Sequence, residues 1–206
     1  MRITREAKRE RRQRILKAAR RLFAERGFEA TTTRELASAA RIAAGTLFNY
    51  FESKEALAAA LVAEALEEGR ADFRARLRGG EGLVEALFLH VVTGLRRLEP
   101  YRGFMGAVLE TALSPFARSG VSRLGDDLRA GHLEVVEELL AARPDDAERP
   151  GFVTLHLYWT LYLGVVAFWA ADESPHQEDT LAVLDESLRV FALALAKPAA
   201  GPSSPS

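Results

Sequence analysis

Cysteine is absent from this chain of 206 residues, which excludes a disulfide framework and any thiolate metal site. Histidine is scarce: His90, His132, His156 and His176 are scattered, with no carboxylates at metal-ligand spacing. No metal, no cofactor and no catalytic constellation is therefore expected. Glycine never falls into phosphate-loop or nucleophile-elbow spacing, and Gly79-Gly80-Glu81-Gly82 reads as a linker. No stretch alternates apolar and polar residues with period two, so strands are not expected. The N-terminus is basic and lacks the uninterrupted apolar stretch of a secretion signal, so a cytoplasmic location is the expectation. The one long apolar run, Leu155 to Ala171, is broken only by His156 and Thr160 and ends at Asp172-Glu173. It is short for a membrane span of about 20 residues. A helix buried on nearly all sides, some of them against a second copy of the chain, is expected, with no membrane partner.

What is present is an uneven distribution of charge. Residues 1–54 hold fourteen Lys/Arg against six Asp/Glu, whereas the rest holds fourteen against twenty-three. The net charge of −1 thus conceals a basic lobe and an acidic body. A basic lobe attracts a phosphate backbone by counterion release, and an acidic body confines that attraction to one end.

Helical periodicity runs along nearly the whole chain. Ile15, Ala18, Ala19, Leu22 and Phe23 recur at helix spacing, predicting a helix from about Arg5 to Arg26 that stops at Gly27. Thr32 with Glu35 forms a capping box for a second helix, and Ala40-Arg41-Ile42 turns the chain. A third helix covers about Ala44 to Tyr50. Ser53 caps a long fourth helix reaching about Leu77. Further helices are expected at about 82–98, 101–113, 121–142, 151–171 and 177–196, nine in all with no sheet. The expected organisation is a DNA-binding unit over 1–54, a helical body over 55–196 and a disordered tail over 197–206.

Two short helices around a tight turn, downstream of an arginine-dense helix, have the arrangement of a helix-turn-helix DNA reader. The run Gly45-Thr46-Leu47-Phe48-Asn49-Tyr50-Phe51, followed by Ser53-Lys54-Glu55-Ala56-Leu57, resembles the recognition-helix signature of the TetR family of transcriptional regulators. The resemblance covers residues 10–60. It implies an all-α fold, an N-terminal three-helix DNA-binding domain followed by a C-terminal helical domain for ligand binding and dimerisation. Three departures stand out: Arg41 replaces the usual turn glycine, Ala43 the usual serine cap, and Phe48 the usual tyrosine.

Roles follow residue by residue. Gly45 lets backbone approach DNA, and Ala44 and the methyl of Thr46 suit thymine methyl groups. Asn49 suits a base edge or phosphate. Thr33 and Arg34, Tyr50, and Lys54 at the start of the fourth helix suit the backbone, and Phe48 lies among them. Leu36, Leu47 and Phe51 are expected to hold the three-helix core. The basic arm from Arg2 to Arg14 has two readings, a solvated face or phosphate contact by some of Arg5, Arg9 and Arg12.

A single reader of this size makes too little contact to select a site, so a two-fold dimer on a double-stranded operator is expected. Leu181, Leu184, Leu188, Phe191 and Leu195 form an apolar stripe on the last helix, and Gly164 permits close approach on the preceding one. The resemblance implies that these two helices build the homodimer interface; burial within one chain explains the stripe equally. For a small-molecule effector the candidates are Phe88, Val92, Phe104, Met105, Leu109, His132, Leu155, Tyr158, Trp159 and Tyr162, bulky residues with a few polar tips. Each of them alone also suits a plain core. With few acids among them, a neutral or acyl-type lipophile is expected. The expected function is a homodimeric repressor released by such an effector, with an effector-independent regulator or a nonspecific DNA binder of the same fold as alternatives.

Overall fold

Helix α1 (Arg5–Arg26) begins where the Thr4 hydroxyl accepts the Ala7 amide at 3.2 Å and ends at Gly27, whose φ of +83° only glycine adopts readily. These coordinates come from a computed structural model that describes residues 4–113, 122–142 and 150–196. The expected apolar stripe of α1 is buried, joined by Leu16. In α2 (Thr33–Ala39) the capping box closes both ways: the Glu35 carboxylate accepts the Thr32 amide at 2.9 Å, and the Thr32 hydroxyl accepts the Glu35 amide at 3.2 Å. Helix α3 (Ala44–Phe48) is two residues shorter than expected. Its end tightens because the amides of Asn49 and Tyr50 turn back to the carbonyls of Thr46 and Leu47, at 3.2 and 3.0 Å.

Helix α4 (Lys54–Arg76) starts at Ser53, whose hydroxyl accepts the Ala56 amide at 3.1 Å. Leu57 through Val62 are all buried, because this half of α4 lies between α1 and the body and has no solvent face. Further along, Glu64 gathers α1 onto α4. It accepts Gln13 at 3.1 Å and Arg20 at 3.3 Å, with Arg12 at 3.8 Å. Helix α5 (Leu83–Leu98) crosses α4 where a Cβ on Gly69 would come within 3.0 Å of the Gly94 Cα, so the missing side chains set how closely the helices meet.

The single helix expected over 101–113 is instead three pieces: a 3-10 segment (Glu99–Phe104), the short α6 (Met105–Val108) and a π-helical turn (Leu109–Leu113). Pro100 fixes the start of the first piece and donates no amide. At the far end the Thr111 hydroxyl donates to the Ala107 carbonyl at 2.6 Å, and Gly125 of the next helix presses against the Ala112 carbonyl.

Helices α7 (Ser122–Ala141), α8 (Phe152–Ala171) and α9 (Glu178–Ala196) complete the body. Among the described residues there is no strand. The turn between α8 and α9 is held by buried Asp172, which accepts the amides of Ser174 at 2.8 Å and Thr180 at 3.0 Å. The expected tail over 197–206 lies outside the described residues.

Two expectations about this end change. Helix α8 buries one face only, through Tyr158, Trp159, Tyr162, Val165, Val166 and Trp169, and leaves Phe152, Val153, Leu157 and Phe168 exposed. The α9 stripe faces inward: Leu184, Leu188 and Phe191 are 1%, 3% and 0% exposed within a single chain, because α9 packs them onto α5 and α8. They belong to the chain's own core and offer no surface to a partner. Leu181 stays exposed, Leu195 half-buried and Gly164 exposed. The outward apolar residues of α9 are instead Leu181, Val190 and Leu193.

Candidate nucleic-acid interface and effector core

The candidate reader is a small exposed surface on a hydrophobic seat. Leu36, Leu47 and Phe51 are buried beneath α2 and α3, with Ile15 and Leu16 of α1 in the same cluster. Above that seat Ala44, Gly45, Phe48 and Asn49 are exposed, and Thr46 and Tyr50 are half-buried. Phe48 exposes 50% of its surface although it is aromatic. Gly45 has no heavy atom within 4 Å of where a Cβ would stand, so its backbone is open to an approaching groove.

Arg41 turns the chain between α2 and α3 at φ +55°, the conformation a glycine would take. That geometry costs a side-chain-bearing residue about 1–2 kcal/mol. Ala43 then starts α3 without any side-chain cap, which forgoes about 1 kcal/mol. At α2, Thr33 is half-buried and Arg34 exposed. The capping box occupies the amides of Thr32 and Glu35, leaving those of Thr33 and Arg34 at the helix mouth.

Two of the basic candidates are tied down. The Lys54 ammonium donates to the Phe28 carbonyl oxygen at 2.9 Å and lies 4.2 Å from the centroid of the Phe28 ring. Its side chain is only 17% exposed, so here it clips the α1–α2 loop to α4 and does not project as a phosphate hook. Arg12 lies over the Phe51 ring at 5.3 Å and beside Glu64. Arg5 and Arg9 remain exposed on the first turns of α1.

The effector candidates separate into four groups. Phe104 does not face a body cavity. It packs against Phe23 at 5.3 Å and Phe28 at 5.4 Å between ring centroids, wedged into the junction between body and reader. Phe88 lines an open apolar groove between the start of α5 and α9, with Leu83, Val84 and Leu181. Met105 is wholly buried, and Val92, Leu109 and Leu155 are half-buried against the core.

His132, Tyr158, Trp159 and Tyr162 do come together. The His132 ring stacks on Tyr162 at 3.9 Å, and its Nε2 is 3.1 Å from the Tyr158 hydroxyl. Composition did not bring two further members to notice. His90 of α5 lies 4.5 Å from His132, ring to ring, and Arg70 of α4 reaches over Gly131 of α7. An enclosed void of about 10 Å³ lies among Leu66, Arg70, His90, Val91, His132 and Tyr162. A lone buried histidine ordinarily finds a hydrogen-bond partner, but His90 is 3% exposed and neither of its ring nitrogens has one among the described residues. Burial first, then the nearby Arg70 charge, pushes His90 down to about 4, and burial holds His132 below its ordinary value. The only signal in the sequence was a set of small or polar residues, Gly69 and Arg70 in the charged second half of α4 and His90 and Gly94 in the mainly apolar α5.

Known proteins resemble the chain at both levels. The family model for bacterial regulatory proteins of the tetR family matches residues 15–61. The HTH-type transcriptional regulator UidR of Escherichia coli (strain K12) is 30% identical over 148 residues, 69% of either chain. The HTH-type transcriptional repressor KstR2 of Rhodococcus jostii (strain RHA1) is 51% identical over 47 residues, 23% of either chain. Among solved structures, FadR of Thermus thermophilus, a transcriptional repressor in complex with lauroyl-CoA, is 26% identical with a TM-score of 0.66, covering 95% of this chain and 100% of its own.

Proposed function

The chain belongs to the TetR family of transcriptional regulators, and on that footing we propose that it is a homodimeric repressor that leaves a palindromic operator when a small acyl-type lipophile binds its helical body. The observation that carries the reading is the reader surface itself: Gly45, Phe48 and Asn49 stand exposed, with Thr46 half-buried beside them, on a buried seat of Leu36, Leu47 and Phe51. A groove-facing helix needs such a combination. We place the reader's boundary near residue 54 and assign the DNA contacts to Thr33, Arg34, Ala44 to Thr46, and Phe48 to Tyr50. Lys54 acts as a clip.

The dimer face in this reading is the outward side of α8 and α9. Leu157, Phe168, Val190 and Leu193 are exposed there, with Gly164 between them on α8. An exposed apolar set of this kind is a common mark of an interface. Two-fold pairing puts two copies of α3 one helical turn of DNA apart, about 34–36 Å, or a multiple of it.

The effector acts through α4, which is continuous from the reader's edge to Arg70 beneath the His90–His132 cluster. A ligand that prefers the body with α4 displaced from α7 lowers operator affinity by the ratio of its affinities for the two states. The lauroyl-CoA bound by the Thermus thermophilus relative supports an acyl compound as the first probe. Fluorescence anisotropy with palindromes from the DNA flanking the gene, with and without lauroyl-CoA, tests the reading. Operator affinity is expected to fall with the acyl compound present. Selective binding that no acyl compound alters overturns the induction step.

A second reading, an effector-independent regulator, draws on one observation: the enclosed void among the described residues holds no more than a water-sized group. The same titration separates the two.

A further inference from the structure

The buried cluster between α4, α5, α7 and α8 has more polar capacity than the fold requires. An apolar side chain at position 90 would fill the same space without leaving two buried ring nitrogens unpartnered, which destabilises a folded protein. His90 nevertheless stands there, its ring tilted 32° against that of His132, with Phe73 edge-on at 5.1 Å. The guanidinium of Arg70 is carried into the same place and is largely covered, its side chain 16% exposed. It pairs with Glu67 one turn earlier and lies directly over Gly131, where a Cβ would come within 2.7 Å of its Nη1 and make the guanidinium shift.

We propose that this void receives the carboxylate head of an acyl ligand, met by the charge of Arg70 and by ring N–H groups of His90 and His132. The proposal rests on the body being an effector site and makes the effector a free fatty acid, because an acyl-CoA thioester has no carboxylate on its acyl chain. The remaining wall, Leu66 and Val91, is apolar, as an alkyl chain next to the head requires. At about 10 Å³ the void accepts a single oxygen-sized group. A two-oxygen head therefore has to part α4 from α7, the displacement that carries the signal to the reader.

The histidines make the binding proton-linked. Without a ligand both rings are neutral near pH 7, because burial and the Arg70 charge disfavour the imidazolium form. The other titratable groups around them are Glu67 and Arg74 on α4, Glu134 and Glu138 on α7, and Tyr158 and Tyr162 on α8. A carboxylate placed between Arg70 and His90 raises the histidine values, so binding takes up protons and tightens as pH falls.

Calorimetric titration of the full-length protein with dodecanoate and with dodecanol, at about pH 6.5 and about pH 8, tests this. Dodecanoate is expected to bind at least about threefold more tightly at the lower pH with net proton uptake, and dodecanol equally at both. Arg70→Gln is expected to weaken dodecanoate about tenfold or more and dodecanol less than about twofold. Gly131→Ala, which keeps the charge but claims the guanidinium's space, should act in the same direction. His90→Leu is expected to weaken dodecanoate while raising the midpoint of thermal unfolding, opposite signs that a purely structural histidine does not give. If both compounds bind and neither pH nor Arg70→Gln separates them, the carboxylate proposal is overturned while the effector reading stands. Failure of both compounds to bind overturns the carboxylate proposal and leaves the effector reading to the lauroyl-CoA titration.

Discussion

Phe104 of the body lies 5.4 Å, ring centroid to ring centroid, from Phe28 of the reader, and 5.3 Å from Phe23 beside it. Phe104 ends the 3-10 segment at the start of α6, so any shift of that region reaches α1 and its following loop by direct contact. Phe104→Leu is expected to leave lauroyl-CoA affinity unchanged. The effect of saturating lauroyl-CoA on operator affinity, ordinarily about 5–150-fold in allosteric systems, should fall below about threefold. Anisotropy titrations of variant and parent read the difference.

Arg41 and Ala43 leave stability to be recovered. Arg41→Gly relieves a left-handed conformation worth about 1–2 kcal/mol, against about 0.5–1 kcal/mol of added glycine freedom in the unfolded chain. A net gain of about 0.5–1 kcal/mol is expected in urea unfolding. Ala43→Ser restores a cap to α3 and should contribute about a further 1 kcal/mol. Operator affinity should hold or rise in both.

Lys54→Met separates a clip from a phosphate contact. Loss of the bond to the Phe28 carbonyl oxygen is expected to lower stability by about 1–2 kcal/mol. The slope of log affinity against log salt should stay at the parent value. A phosphate contact would instead reduce that slope by about one per subunit.

The outward face of α8 and α9 makes opposite predictions for neighbouring positions. Phe168 and Leu193 are 43% and 65% exposed, so the pair Phe168→Glu and Leu193→Glu is expected to sediment as single copies and to lose operator affinity. Leu188→Ala, in the chain's own core, should leave assembly intact while costing about 2–5 kcal/mol of stability.

Local chemistry made the reader legible. Thr32 with Glu35, Ser53 and Gly27 act within a few residues of themselves, and the helices they bound stand where their spacing puts them. What the sequence hid depends on contacts far along the chain. The stripe Leu184, Leu188, Phe191 is equally good against a partner or against α5 and α8, and only packing shows that the chain itself covers it. Of the outward set Leu181 belongs to the sequence stripe, whereas Val190 and Leu193 fall outside its spacing, with Glu186 and Arg189 between them and Leu181. Phe104 reads as one more aromatic of the body until the fold brings α6 to Phe28. His90 looked like a satisfied core histidine because nothing in its own helix reveals that its neighbours are another histidine, a phenylalanine and an arginine.

The central claim is that α3 reads the operator through Thr46 and Asn49. Both side chains leave the core untouched, so Thr46→Ala with Asn49→Ala should unfold like the parent. On the operator duplex the double variant is expected to bind about ten- to hundredfold more weakly, with binding to random duplex nearly unchanged. Parent-like affinity for the operator in that titration would contradict the account.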